Sequence, residues 1–342
     1  MNKDPYPKTM LETKRSIDMA KLSIAPMVDR TDRHFRHMMR LFSKDILLYT
    51  EMITAPAIIH GDYKKLLSFG PCEKPLVLQI AGSDPEEMAQ AVEIAEQYDY
   101  DEINLNAGCP SDKVSEYKMG ASLMADAELV ADLVKAMKSR TKKPVSVKCR
   151  LGIDGRKVIE GEKQVFDTYD DLRHFISTVE KAGVARFTIH ARIAILAGLD
   201  PKKNRSIPEL KYDQVYQIKK DFPHLDIEIN GGIKTKEAII KQLQKVDRVM
   251  LGRIAYEDPM VLAELAGTDI TREEIIEQMI DYIKVQERKG EKVTSILMHL
   301  AGLYHGQPGS KKWKQLILPP WDNDKTASAI LEEGLDVMRK RK

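Results

Sequence analysis

Eight short apolar runs occur between residues 22 and 253, and segments with helical periodicity separate most of them. The predicted strands are residues 22–27, 46–53, 75–82, 103–106, 144–152, 186–192, 226–232 and 248–253. The predicted helices are residues 32–43, 83 to about 98, 122–140, 168–182, 212–221 and 235–243. Alternating strands and helices indicate a parallel α/β fold, and eight repeats in about 250 residues favour a closed (β/α)8 TIM barrel over a doubly wound sheet.

The pattern changes at about Gly267, after which we find helical periodicity and no strand-like run. The predicted tail helices are residues 271–289, 293–304, 310–317 and 324–340. We therefore expect two domains, a catalytic barrel at residues 1–266 and a C-terminal all-α helical domain at residues 267–342.

Composition excludes several classes of protein. The 342 residues are 43% hydrophobic and 31% charged, with a net charge of +2, so charge alone does not indicate a nucleic-acid partner. We see neither a signal peptide in residues 1–21 nor an apolar run of membrane length, and we expect a cytoplasmic, monomeric enzyme. The three cysteines, Cys72, Cys109 and Cys149, lack metal-ligand spacing, so we expect no metal.

Residues able to bind or react collect at the predicted C-terminal ends of the strands, where barrel enzymes build their active sites. They are Met27, Glu51, Gln79, Asn104, Asn106, Cys109, Lys148, Arg150, His190, Arg192, Asn230, Gly231, Gly232, Gly252 and Arg253. Cys109 stands before Pro110, which disfavours helical geometry at the cysteine and predicts a stiff turn. A buried, inert cysteine is the commoner role, but this position favours chemistry.

Two glycine turns follow the seventh and eighth predicted strands, where barrels commonly bind a phosphate. Glycines let backbone N–H groups approach an anion, and Arg253 can add a bidentate charge. Lys148 alternates with Val145 and Val147, so we expect it to point into the barrel mouth. It could serve there as a Schiff-base amine, as a cation beside an electron-rich ring, or only as a rim lysine.

Seven segments together resemble the tRNA-dihydrouridine synthase family, and the likeness covers nearly the whole chain. They are Ala25-Pro-Met27, Gln79-Ile-Ala-Gly82, Ile103-Asn-Leu-Asn-Ala-Gly-Cys-Pro110, Val147-Lys148, Ile189-His-Ala-Arg192, Asn230-Gly-Gly232 and Leu251-Gly-Arg253. Within the family, Gly198-Leu199 and residues 202–210 resemble the bacterial DusA subfamily, which modifies D-loop positions 20 and 20a.

The resemblance implies FMN as cofactor, NADPH as reductant and tRNA as substrate. It implies that Cys109 is the proton donor to the uracil. The cofactor-binding residues that it implies are Pro26, Met27, Val28, Gln79, Lys148, His190, Asn230, Gly231, Gly232, Gly252 and Arg253. The tRNA-binding residues that we expect are Asn106, Arg192, Ile195, Lys311 and Lys314.

One departure from the subfamily pattern leaves open which uridine of the tRNA is modified. The subfamily has Lys-Ala-Trp after its His-Ala-Arg segment, whereas this chain has Ile193-Ala-Ile195, which removes a cation and an aromatic ring from a tRNA-facing loop. The choice between NADPH and NADH is also open. Three rival functions are a small-molecule pyrimidine dehydrogenase resembling dihydroorotate dehydrogenase, a class I aldolase that uses Lys148, and a tRNA-binding folding factor.

Overall fold

The computed structural model describes residues 17–111, 118–291, 294–321 and 325–341. Residues 1–16 and 342, at the two ends of the chain, lie outside this described part. So do residues 293 and 324, where we predicted that two of the tail helices begin. The described strands are β1 (Leu22–Ile24), β2 (Leu48–Thr54), β3 (Leu76–Ala81), β4 (Glu102–Ala107), β5 (Val145–Arg150), β6 (Ile153–Asp154), β7 (Val165–Phe166), β8 (Arg186–His190), β9 (Ala194–Ile195), β10 (Asp226–Asn230) and β11 (Arg248–Leu251).

Eight of these strands form one parallel sheet in the order β1-β11-β10-β8-β5-β4-β3-β2. The sheet closes through Leu47, just before β2. The Leu47 N–H donates to the Leu22 carbonyl at 3.0 Å, and the Leu47 carbonyl accepts from the Ile24 N–H at 2.9 Å. These bonds join the two ends of the sheet, so the predicted (β/α)8 barrel is confirmed.

Helices surround the barrel and form the tail. The described α-helices are Arg33–Phe42, Ala55–His60, Tyr63–Leu67, Pro85–Ala95, Ala127–Lys138, Tyr169–Val179, Tyr212–Asp221, Lys236–Leu243, Arg253–Glu257, Met260–Ala266, Arg272–Arg288, Thr294–His299, Ser310–Ile317 and Ala327–Arg339. Local chemistry sets several starts: the Asp84 carboxylate accepts the N–H groups of Glu86 and Glu87, and Pro85 occupies the first turn.

The barrel strands divide their side chains between two environments. Leu78, Ile80 and Leu105 belong to the main hydrophobic core that contacts the helices. The residues that alternate with them on β3 and β4, Gln79 and Asn104, form hydrogen bonds with each other instead. Strands covered on both faces are expected to be buried throughout, and every residue of β3 and β4 is buried.

The segment at residues 153–167, in which we predicted neither a strand nor a helix, contains β6 and β7, so the sequence analysis missed these two strands. These two-residue strands pair with each other in antiparallel fashion, and β6 pairs in parallel with β9. The partner strand lies some 40 residues further along the chain, and no local pattern signals so distant a pairing. The resulting small sheet ties the loop after β5 to the loop after β8.

The C-terminal helices pack against one side of the barrel. The His299 Nε2 lies 3.0 Å from the Asp32 carboxylate, which also caps the helix Arg33–Phe42. The His34 Nδ1 lies 2.8 Å from the Tyr282 hydroxyl, and the Phe35 ring contacts His299 edge-on. The predicted helical tail is present among the described residues; the division into domains at residue 266 stays a prediction.

Candidate active site

The side chain of Asn106 holds the turn that carries Cys109, two residues beyond the end of β4. The Asn106 Oδ1 accepts the N–H groups of Gly108 at 3.0 Å and of Cys109 at 2.9 Å. The thiol is partly buried, and burial raises its pKa, although the Ser111 N–H and the Arg150 and Lys148 cations oppose the rise. The thiol is therefore protonated at neutral pH.

Three amide side chains connect this turn to the barrel interior. The Asn106 Nδ2 donates to the Gln79 Oε1 at 2.8 Å, and the Gln79 Nε2 donates to the Asn104 Oδ1 at 2.8 Å. The Asn104 Nδ2 then donates to the Ser146 hydroxyl at 2.7 Å. Gln79, Asn104 and Ser146 are register partners on adjacent strands, so their side chains lie at one level of the barrel.

A cluster of buried charges lies at the other end of this row. The Ser146 hydroxyl donates to the Glu102 carboxylate, which also accepts from the Arg186 guanidinium at 2.6 Å. Arg186 donates to the Tyr49 hydroxyl at 3.0 Å and lies 3.8 Å from Glu228. Burial opposes the charge on Arg186, but Tyr49, Glu102 and Glu228 raise its pKa well above the usual value. Sequence reasoning assigned none of these residues to the site.

Arg150, at the end of β5, joins the Cys109 turn to the loop after β8. Its Nε donates to the Gly108 carbonyl at 2.8 Å. Its Nη1 donates to the carbonyls of Ile193 at 3.0 Å and Asn204 at 3.2 Å. From the sequence we predicted that Arg150 lies at a strand end, but we assigned it no role. Its alternation with Ser146 and Lys148 on β5, which places all three on one face, is the signal that could have given one.

Lys148 and His190 face the same space at the barrel mouth. Burial lowers the pKa of Lys148 to about 8, and the nearby Arg150 cation adds to this effect. Burial also lowers the pKa of His190 well below its usual value, with further contributions from Arg150, Lys148, Arg192 and Arg205. The ring is therefore neutral, and its buried Nδ1 has no hydrogen-bond partner among the described residues.

The glycine turn after β10 lies directly against His190. Gly231 and Gly232 have φ angles of 117° and 68°, which residues with a side chain rarely adopt. A Cβ on Gly231 would lie 3.3 Å from the His190 Nε2, and one on Gly232 would lie 2.6 Å from the Leu210 Cδ1. The Asn230 Nδ2 donates one N–H to the Met250 carbonyl at 2.8 Å, and the amide keeps a second N–H as a further donor.

The remaining expected cofactor residues border this region. Pro26 and Met27 are partly buried just after β1, whereas Val28 is 57% exposed. A Cβ on Gly252 would meet no atom within 4 Å, so the backbone there is open to a ligand. The Arg253 Nη2 lies 3.4 Å from the Arg205 carbonyl, and Arg205 is itself one of the cations near Cys109.

The expected tRNA-binding residues occur in two places. Arg192 donates to the Pro208 carbonyl, and the backbone of Ile195 is fixed by both ends of the buried Asn204 amide, at 2.8 and 2.9 Å. Lys311 and Lys314 are exposed on the helix Ser310–Ile317 and border an open surface cavity of about 660 Å³. Arg150 therefore connects the Cys109 turn to the loop that contains Arg192 and Ile195, while the two lysines belong to the tail.

Two absences apply to the described residues alone. No group of three or more His, Cys, Asp or Glu side chains has the geometry to hold a metal ion in that part of the chain. Across the same residues, none of the helices is long and apolar enough to cross a membrane.

Comparison with solved structures supports the fold. A 2-naphthoyl-CoA reductase in complex with 2-naphthoyl-CoA superposes with a TM-score of 0.52 at 11% sequence identity. The match covers 72% of this chain and 50% of that one, so this chain spans half the length of the reductase.

Comparison with known sequences identifies the family. The model of the dihydrouridine synthase (Dus) family matches residues 23–334. The tRNA-dihydrouridine(20/20a) synthase of Synechocystis sp. is 50% identical over 86% of this chain and 88% of its own. The enzymes of that name from Vibrio parahaemolyticus and Pseudomonas aeruginosa are 46% and 43% identical, over 92% and 94% of this chain and 96% of each relative. The expected resemblance is therefore confirmed, and the chain belongs to the dihydrouridine synthase family.

Proposed function

We propose that this dihydrouridine synthase reduces uridine to 5,6-dihydrouridine at D-loop positions 20 and 20a of tRNA, with bound FMN, NADPH as reductant and Cys109 as proton donor. The observation that carries the proposal is the juxtaposition of a protonated, partly buried thiol with a cationic, glycine-lined mouth of a parallel barrel. The names of the relatives support the two target positions.

The residues at the mouth fit FMN. The buried His190 Nδ1 has no partner among the described residues and can bond to the ligand. Gly252 offers backbone with no atom within 4 Å of its Cβ position, as close approach to a phosphate requires, and Gly231 lies directly beside the His190 ring. Arg253 would supply the countercharge for the phosphate, while the second N–H of the Asn230 amide and the backbone N–H of Gly232 would donate to it. Gln79, Lys148 and residues 26–28 would contact the ring.

Bound FMN would supply a carrier for the hydride that passes from NADPH to carbon 6 of the uracil. The chain supplies the proton: the Cys109 Sγ–H protonates carbon 5 from the opposite side of the ring, which is general acid catalysis. Its raised pKa keeps the proton on sulfur until the base is bound. Lys148, charged below pH 8, stabilises negative charge that develops in the mouth.

The target base must leave its stack before it can reach Cys109, which costs a few kcal/mol. Asn106 would contact the flipped nucleotide through the Nδ2 N–H that in this structure lies 3.3 Å from the weakly accepting Met52 Sδ. Arg192 and Ile195 would approach the same RNA from the loop after β8. The helical residues 267–342 would form the tRNA-docking domain, in which Lys311 and Lys314 bind backbone phosphates. We further propose that the protein acts as a monomer in the cytoplasm.

Purified protein tests the cofactor and the reaction together. We expect yellow protein that releases FMN on denaturation and, with NADPH, forms dihydrouridine in an unmodified tRNA transcript, measured by nucleoside mass spectrometry. Release of FAD, or of no flavin, would contradict the choice of cofactor. Reduction of free pyrimidine bases without any reaction on tRNA would favour the small-molecule dehydrogenase instead. Borohydride trapping of a carbonyl substrate on Lys148 would favour the aldolase.

A further inference from the structure

The hydrogen bonds between Arg186 and the Cys109 turn form one continuous row with a single direction. From the turn inward, each amide accepts at its oxygen and donates from its nitrogen, in the order Asn106, Gln79, Asn104. The Ser146 hydroxyl accepts the last of these hydrogen bonds and donates one to the Glu102 carboxylate. All of these side chains except the partly exposed edge of the Cys109 turn are buried.

The chemistry of the two ends fixes that direction. Burial raises the pKa of Glu102, but the Arg186 guanidinium that donates to it at 2.6 Å opposes this rise, and as a carboxylate Glu102 accepts the single Ser146 proton, so only the lone pairs of Ser146 face Asn104. The Asn104 amide must then turn its nitrogen to Ser146 and its oxygen to Gln79. At the other end, the N–H groups of Gly108 and Cys109 can only donate, so they require the oxygen of Asn106.

An inverted row would fail at the turn. If Asn104 reversed, Gln79 and Asn106 would have to reverse with it to keep their mutual bonds. The Asn106 nitrogen would then face two backbone N–H groups, and donors would oppose donors. An amide side chain outside such a row has no preferred orientation of its oxygen and nitrogen, because these two ends are nearly the same size.

We propose that Ser146 is a positioning residue for the reaction: by accepting from Asn104 and donating to Glu102 it anchors the inner end of the amide row and so holds the Cys109 turn in one conformation. This inference rests on the proposed role of Cys109 as proton donor. It assigns a function to a residue that lies three side chains away from the thiol and does not contact the substrate. Without the Ser146 hydroxyl, the Asn104 nitrogen loses its acceptor, and the amide row is no longer held at its inner end.

The barrel contains a matched control for this hydroxyl. Ser23 on β1 is fully buried, like Ser146, and donates to the buried carboxylate of Glu228 at 2.7 Å. Glu228, like Glu102, lies beside Arg186. No described amide continues from Ser23 towards the active site. Ser23→Ala therefore removes the same group from the same kind of partner without affecting the row.

The experiment compares Ser146→Ala with Ser23→Ala in the FMN-loaded protein. We expect Ser146→Ala to slow single-turnover reduction of tRNA about tenfold, which corresponds to one neutral hydrogen bond, while NADPH oxidation by the bound flavin stays within about twofold of wild type. We also expect faster alkylation of Cys109 by iodoacetamide, read from the Cys109 peptide by mass spectrometry. Ser23→Ala should change neither rate, and both variants should lose similar thermal stability.

Equal behaviour of the two variants in both assays would overturn the proposal, because the effect would then be one of general stability or absent. The alkylation assay separates this inference from the proposed function. If Cys109→Ala reduced tRNA normally, the proton-donor role would fail. A faster alkylation of Cys109 in Ser146→Ala alone would still show that Ser146 holds the turn.

Discussion

The three cysteines have different surroundings in this fold. Cys149 is fully buried on β5, and burial raises its pKa to about 12. Cys72 is exposed and lies 3.5 Å from the His37 Nδ1, away from the barrel mouth. Of the three, Cys109 alone combines partial burial with the neighbouring cations Lys148 and Arg150. The environment, rather than the residue type, therefore makes it the candidate acid.

Replacement of Cys109 by alanine tests that distinction. A proton donor typically contributes about 10²–10⁴-fold, so Cys109→Ala should lower the rate of tRNA reduction by at least about a hundredfold. It should retain flavin and oxidise NADPH. Cys72→Ala, the control, should reduce tRNA within about twofold of wild type. A loss of less than tenfold in Cys109→Ala would contradict the assignment.

Lys148 makes stability depend on pH in a predictable direction. Its pKa is about 8 in the fold and 10.5 in the unfolded chain, so between these values the unfolded state binds more protons. The free energy of unfolding should therefore rise with pH across this window. Lys148→Met should be more stable than wild type at pH 7 by up to about 3 kcal/mol, at about 1.4 kcal/mol per pKa unit, and this advantage should shrink towards pH 10.5.

Denaturant unfolding of the FMN-free proteins at pH 7 and pH 10 measures the effect, with each variant compared with wild type at the same pH. An advantage of Lys148→Met that is independent of pH would show that Lys148 is not a buried cation. The same titration predicts that the loaded wild-type enzyme loses charge stabilisation in the mouth above about pH 8.

At the scale of elements, the turn after β10 combines backbone geometry with contact to the site. Gly231→Ala would place a Cβ 3.3 Å from the His190 Nε2 and would strain a φ of 117°. Gly161, with a φ of 105°, would carry the same kind of strain, but no atom lies within 4 Å of its Cβ position. A positive φ costs an alanine at least about 1 kcal/mol, so both variants should lose some stability.

The two glycine variants should differ in flavin content. We expect Gly231→Ala to copurify with at least about tenfold less FMN, because the displaced His190 ring can no longer contact it. Gly161→Ala should copurify with normal FMN, measured as the ratio of absorbance at the flavin and protein maxima. Normal flavin in Gly231→Ala would argue against a phosphate site at this turn.

Elements with a strong local pattern could be predicted from the sequence, whereas nonlocal pairings could not. The helix Tyr212–Asp221 has the predicted bounds, and the Asp84 cap starts its helix where expected. The short helices Ala55–His60 and Tyr63–Leu67 were missed because one or two turns carry too little periodicity. In the site, strand-end position identified Asn106 and Lys148 as candidates. The bonds that organise them come from Ser146 and Arg150, through partners 40 or more residues away.

At the scale of the whole molecule, the helix Ser310–Ile317 is held within the tail by its buried face. The Trp313 ring is fully buried and its Nε1 donates to the Leu300 carbonyl at 2.9 Å. Lys311 and Lys314 lie on the opposite, exposed face of the same helix. Another part of the tail packs onto the barrel helix Arg33–Phe42 through His299, which contacts Phe35 and Asp32.

Replacing Lys311 and Lys314 together by alanine should weaken tRNA binding and lower the slope of log affinity against log salt by up to about two units. Flavin content and NADPH oxidation without tRNA should not change. A matched control is the pair Lys142 and Lys181, which are exposed and precede β5 and β8 at the opposite end of the barrel. If the control pair affects tRNA affinity as much as the tail pair does, the docking role of the tail is wrong.

The most direct test of the account is a nucleotide-resolution map of dihydrouridine in tRNA from cells that lack this protein. We predict that dihydrouridine at positions 20 and 20a is lost in these cells and that the wild-type protein restores it. The Cys109→Ala variant should not restore dihydrouridine, although the variant accumulates normally and binds flavin. Dihydrouridine that persists at both positions in the deletion strain, or that Cys109→Ala restores fully, would contradict the account.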